Sequence, residues 1–170
     1  MQETAPQYIE RILGNVGGQK PLKIQAGTAQ KLARLVKGVP LAKLRRRPAP
    51  DRWSVAEILV HLADTEIVQS FRMRMILGAP GTPIQGFDQD AWVAAGHYAK
   101  RDPRKCIEQF RAAREVNLDL LKTLTKEQWQ HHGVHSERGK ETIDHIVRMV
   151  AGHDVNHLRQ IERILAKAKG

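Results

Sequence analysis

The chain has 170 residues, a single cysteine and a formal net charge of +10. That length suits one domain with a real core, and the lone Cys106 excludes an internal disulfide and any multi-cysteine zinc site. No apolar run reaches about 18 residues, and Met1-Gln2-Glu3-Thr4 lacks a charged-then-apolar leader pattern. The expectation is a cytoplasmic protein with no membrane contact.

The first stretch reads as a short helix, roughly Pro6 to Leu13, stopped by Gly14 and Gly17-Gly18. Residues 1–20 are therefore expected to form an N-terminal extension to a domain spanning 21–170. Pro21 suits the first turn of the next helix, which carries Leu22, Ile24, Ala29, Leu32, Leu35 and Val36 before Gly38 and Pro40 end it. Leu41 to Arg46 continues as a helical turn until Pro48-Ala49-Pro50.

A stronger start signal follows. Ser54 and Glu57 are spaced as a capping box, with Trp53 before the cap and Ile58 placed to staple against it. The helix should run to about Leu77, with Ile58, Leu62, Val68, Phe71 and Met75 on one broad face. At about 100° per residue, His61 falls between the directions of Val68 and Ile58 and points inward.

Gly78 to Asp102 is the longest irregular segment, with a helical turn expected at Asp88 to Ala95. So long a connection implies a crossover along the bundle, leaving the next long helix parallel to the last. That helix starts at Asp102-Pro103 and carries Ile107, Phe110, Ala113, Asn117, Leu120, Leu121 and Leu124. Cys106, beside Ile107, reads as a packing residue. Thr125 to Gln128 is a second capping box, opening a short helix. His131, His132 and His135 then fall in a polar stretch and read as surface residues. Thr142 caps a final helix to about Ala168, and no strand pattern is evident. The fold class is all-α: a four-helix bundle with a long crossover between its second and third helices, plus short accessory helices.

The chemistry concentrates in the last helix. Ile143, Val147, Val150, Ile161 and Ile164 set an apolar stripe at steps of three and four, and His153 and His157 interrupt it. Residues four apart stand one turn above each other, so both imidazoles can face one point. His61 breaks the stripe of an earlier helix. Burying three imidazoles is costly unless each finds a partner, and one shared cation satisfies all three. Neutral imidazoles suit Zn, Ni or Fe, with positions left for water or substrate. His145 is rotated by about 80° from His153 and is left out of the ligand set. Glu57, Asp64 and Asp154 are candidates to orient an imidazole or act as general base. Their ordinary roles would be cap closure for Glu57 and, for Asp64 and Asp154, solvation or pairing with Arg72 or Arg159.

The positive charge is dispersed through Lys20, Lys23, Lys31, Arg34, Arg72, Arg74, Arg111 and Arg114 and reads as a solvated face, apart from the cluster Lys43 to Arg47. Aromatic residues are too few for a base-stacking platform, and no helix-turn-helix spacing occurs, so sequence-specific nucleic-acid binding is not expected. A second reading survives: a non-catalytic helical module whose basic face, around Arg45, Arg46 and Arg47, meets an anionic partner.

Trp53-Ser54-x-x-Glu57-Ile58-Leu59-x-His61-Leu62-x-Asp64-x-Glu66, Gly139-x-x-Thr142-Ile143 and Ala151-x-His153-Asp154-x-x-His157-Leu158-x-Gln160-Ile161 resemble the DinB-like superfamily. The resemblance spans roughly residues 25 to 168. It implies a four-helix bundle whose second and third long helices are parallel, a divalent metal held by His61, His153 and His157, and a homodimer. Characterised branches include thiol S-transferases that use a low-molecular-weight thiol. The resemblance therefore implies a metal-dependent enzyme acting on a small molecule, by thiol transfer or by hydrolysis. Metal activation of a thiol is physically sound, because a dication at an open position lowers the thiol pKa and needs no protein cysteine.

Overall fold

The structure, a computed structural model, describes residues 3–167. Thr4 opens α1 (Ala5–Gly14) with a capping box: Gln7 Oε1 accepts from the Thr4 N–H at 3.0 Å, and the Thr4 hydroxyl accepts from the Gln7 N–H. Pro21 occupies the first turn of α2 (Pro21–Val36), and Pro40 precedes the short α3 (Leu41–Arg45). Ser54 caps α4 (Val55–Gly78) through the expected reciprocal pair with Glu57. The crossover then holds a short strand β1 (Pro83–Ile84), the helix α5 (Gln89–Ala95) and a single 3-10 turn. Asp102 caps α6 (Pro103–Lys122), and Thr125 caps α7 (Lys126–Gln130). Strands β2 (His132–His135) and β3 (Gly139–Thr142) lead into α8 (Ile143–Lys167). There Thr142 Oγ1 accepts from the His145 N–H at 3.1 Å.

The four long helices α2, α4, α6 and α8 form the bundle. Helix α4 packs on α6 and α8, while α2 packs on α8 and α6. Two large apolar clusters fill most of it, and a smaller third joins Ile24 and Ala151 to Val16. Of the large ones, one gathers Leu32, Leu44, Ile58, Leu59, Leu62, Phe110 and Ile161; the other gathers Met73, Ile76, Leu121, Ile143 and Val147. Each fully buried aliphatic side chain contributes about 1.5–3 kcal/mol. Along α8 the stripe passes from Val147 and Val150 in one cluster to Leu158 and Ile161 in the other, with His153 and His157 between them.

Four expectations are corrected. The chain is not free of strands: β1 pairs parallel with β2, and β2 pairs antiparallel with β3. These strands are too short for an alternating pattern to stand out, and their hairpin turns at Gly139, whose φ of 72° suits glycine. Second, His135 is buried, because β2 turns Gly133 and His135 inward and Val134 outward. Third, Phe71 and Met75 do not face the core; Arg72, Met73 and Ile76 take the inward places in the last turns of α4. Fourth, Arg72 and Arg114 are not surface charges: both are buried. Cys106 is buried as expected. The N-terminal extension itself forms α1, with Ile12 wholly enclosed against α8.

Candidate metal centre

His61 comes from the second turn of α4, and His153 and His157 come from successive turns of α8. Their rings converge. His61 Nε2 lies 3.1 Å from His153 Nε2, and His157 Nε2 lies 3.0 Å from His153 Nε2. One nitrogen from each of the three lies within 4.8 Å of the others. Burial holds His61 near a pKa of about 3 and His157 near about 4, and pushes His153 well below its ordinary value, so all three rings are neutral at pH 7.

Proton bookkeeping tests whether this cluster suits a cation. His157 Nδ1 lies 2.8 Å from Gln160 Oε1, an oxygen that can only accept, so the ring proton sits on Nδ1 and Nε2 presents a lone pair. His153 Nε2 faces that lone pair and also faces His61 Nε2. Its single proton site serves one neighbour well and leaves the other contact unsatisfied. A cation shared by the three nitrogens removes the conflict. Nitrogens bound to one ion at about 2.0–2.1 Å stand about 3.0–3.4 Å apart, which is the spacing of the two close pairs. The residues fit a divalent metal.

The helices are held in register directly beneath these rings. Asp154 accepts from Arg114 at 2.6 and 3.1 Å and from the Thr28 hydroxyl at 2.8 Å. Arg114 also donates to Glu66 at 2.8 Å and to the Gln25 carbonyl at 3.2 Å, and Asn117 donates to Glu66 at 2.7 Å. The set draws one or more residues from each of α2, α4, α6 and α8. Burial opposes the charge on Arg114, but its two carboxylates outweigh that and push its pKa up. Phe110 lies against the same guanidinium, its ring centroid 4.6 Å away. Sequence alone does not reveal this network, apart from the places of Glu66 and Asp154 in motifs. A signal exists nonetheless: Arg114 stands on the inward stripe of α6 between Phe110 and Asn117, where a charge requires a buried partner.

Glu57 and Asp64 are not brought to the imidazoles. Glu57 closes the α4 cap and pairs with Arg47, while Asp64 pairs with Arg101 at 2.8 Å. Neither Arg72 nor Arg159 pairs with Asp64 or Asp154, contrary to expectation. Arg101 and Arg114 take those places, and both come from more distant chain segments. His145 stays outside the cluster. Trp53, 4.9 Å from His61 between ring centroids, covers that imidazole from the α4 start and donates from Nε1 to Asp90.

A pocket partly open to solvent reaches His61 and His153. Leu62, Phe110, Ile146, Met149 and Val150 supply apolar wall, and Thr65, Gln69, Arg72 and Arg138 supply polar groups. The carboxylates on this pocket are Glu66, Asp154 and Glu141. Neither Glu57 nor Asp64 lines it.

Residues 26–161 match the DinB superfamily. The chain belongs to the DinB superfamily. Within the superfamily it is similar to a protein of Oceanobacillus iheyensis provisionally named metal-dependent hydrolase OB0413. Identity is 25% over 118 residues, covering 69% of this chain and 68% of that one. It is also similar to the provisionally named metal-dependent hydrolase YfiT of Bacillus subtilis, 24% identical over 114 residues, covering 66% and 64%. The solved YfiT structure, described as an unusual four-helix bundle topology, superposes with a TM-score of 0.81. At 20% identity that match covers 88% of this chain and 86% of the other, and it shows a shared fold.

Proposed function

We propose that this chain is a metal-dependent enzyme acting on a small molecule, with hydrolysis as its chemistry. The observation that carries the reading is the proton conflict among three neutral, converging imidazoles beside an open pocket. The names given to its DinB-superfamily relatives support hydrolysis. A divalent ion held by His61, His153 and His157 would supply Lewis acidity and lower the pKa of a bound nucleophile. The protein's own part is to hold three lone pairs on one point, with Gln160 fixing the His157 tautomer. Trp53 and the apolar wall exclude bulk water, while Thr65 and Gln69 offer hydrogen bonds to a substrate beside the imidazoles.

The test begins with metal analysis of untagged protein after reconstitution with Zn, Ni or Fe. About one ion per chain in the wild type and almost none in His153→Ala is the expected result; a metal-free wild type overturns the reading. The loaded protein is then assayed on ester and amide panels. In parallel, glutathione, bacillithiol, mycothiol and cysteine are offered with an electrophile. Conjugation without hydrolysis would replace hydrolysis by thiol transfer, a chemistry that rests on the family resemblance alone. The competing binding-module reading loses support from Arg47, whose guanidinium is committed to Glu57.

A homodimer is the matching proposal for assembly. Ile67, Phe71 and Met75 form an exposed apolar stripe at four-residue steps on α4. Sedimentation should give a dimer for the wild type and a monomer for Phe71→Glu.

A further inference from the structure

The pocket that reaches the imidazoles carries a second chemical feature, Arg72. Only 8% of this residue is exposed, and its Nη2 donates to the Gln85 carbonyl while the guanidinium lies 5.6 Å from the Phe87 ring centroid. No carboxylate among the described residues lies within ion-pair distance of it, and Nε and Nη1 make no hydrogen bond to the described protein. The contrast with Arg114, also buried but held by two carboxylates, is direct. A buried cation without a counter-charge is costly, and arginine does not escape by losing its proton. Burial and the charge of Arg138 work against the charge on Arg72, and the weaker pull of Glu141 does not make up for them.

Its placement relates it to the metal centre. From His61 to Arg72 is an eleven-residue step on α4, close to three full turns, so the two share a helix face about 16 Å apart along the axis. Thr65 and Gln69 lie between them on that face, and all four residues line the same pocket. Helical side chains lean toward the N-terminal end, which here is the His61 end. The other two cations of this wall are already matched: Arg114 is held by Glu66 and Asp154, and Glu141 accepts from Arg138 at 2.7 and 3.1 Å. Glu141 is thereby occupied, and Arg72 is left as the cation of the wall with no carboxylate bonded to it.

We propose that Arg72 binds the anionic end of the substrate, a carboxylate, while the substrate's other end reacts at the three-histidine centre. The substrate class is then a small acid with an apolar middle, matched to Phe110, Ile146 and Met149 along the wall. This deepens the metal-dependent reading and rests on it for the reacting end only.

Probes with a neutral metal-binding head separate the two ends. Zn-loaded protein is titrated calorimetrically with the monohydroxamates of adipic, suberic and sebacic acid, and with the alkyl hydroxamates of the same lengths that lack the acid. The wild type should prefer one acid-tailed probe over its alkyl partner by roughly tenfold or more, the worth of a charge-assisted hydrogen bond. Arg72→Met should abolish that preference while leaving alkyl hydroxamate affinity unchanged, and Arg72→Lys should retain part of it. Thermal melts confirm that each variant is folded. Absence of any acid preference in the wild type, or its survival in Arg72→Met, overturns the proposal. If no hydroxamate binds, the metal reading has failed, and adipate and suberate are titrated into metal-free protein. Binding lost in Arg72→Met then upholds the anion site by itself, and no binding overturns it too.

Discussion

His157 Nδ1 and Gln160 Oε1 lie 2.8 Å apart, one turn along the same helix. The amide oxygen can accept but not donate, so it selects the tautomer of the imidazole and leaves Nε2 as a ligand atom. Gln160→Leu removes that choice without touching a ligand. Metal affinity should fall about 10–100-fold, the usual effect of losing a partner behind a ligating histidine. Competition against a chelator of known affinity measures it, and an unchanged dissociation constant would show that Gln160 does not orient the ring.

Arg114 joins residues of all four long helices, and its removal leaves Asp154 and Glu66 buried without their counter-charge. Arg114→Met should cost about 3–5 kcal/mol in urea unfolding, the range for a buried pair broken from one side. Since Asp154 adjoins His153, the same variant should also loosen metal binding. A loss below about 1 kcal/mol would place the network among ordinary surface pairs.

Gly152 meets α1 at closest approach. A Cβ built there would stand 2.0 Å from the Ile12 carbonyl oxygen and 2.8 Å from its carbon, both backbone atoms that cannot turn aside. Gly152→Ala should therefore push α1 off α8 and cost about 1–3 kcal/mol, despite the better helix propensity of alanine. Thermal melting reads the stability, and proteolysis near α1 reads the displacement.

The imidazoles also govern the acid response of the metal-free protein. Folding lowers His61 from 6.5 to about 3 and His157 from 6.5 to about 4, with burial as the leading cause. Their contribution is fully present above pH 6.5, the unfolded value. Below it the unfolded chain takes up protons that the folded chain refuses, so stability falls as pH falls. The slope is about 1.4 kcal/mol per pH unit for each histidine, continuing until pH passes the folded values near 4 and 3. Denaturant unfolding at several pH values checks this, and a flat profile between pH 6.5 and 4 contradicts it. The His61→Phe/His157→Phe double variant should flatten the slope.

Helix starts are written locally and are legible in the chain itself. Ser54 with Glu57, Asp102 with Arg104, Thr125 with Gln128 and Thr142 with His145 each bond backbone groups within one turn, so neighbouring residues suffice to define them. The inward places of His61, His153 and His157 are also local facts, set by helical period. The β1-β2-β3 sheet is not legible in this way, because its pairing joins Pro83 with Val134 across a long separation and its strands are too short to show alternation.

Sequence by itself determined the helices, the crossover, the three inward histidines and the kinship to the DinB superfamily, because each depends on residues close in the chain or on a motif. Only the tertiary structure decided the partners. It gave Asp154 and Glu66 to Arg114, Glu57 to Arg47 and Asp64 to Arg101, and it left Arg72 buried with no carboxylate bonded to it. The physical reason is that helical period tells which way a side chain points. Which opposing charge it meets depends on how separate helices align, and buried ion pairs are settled only there.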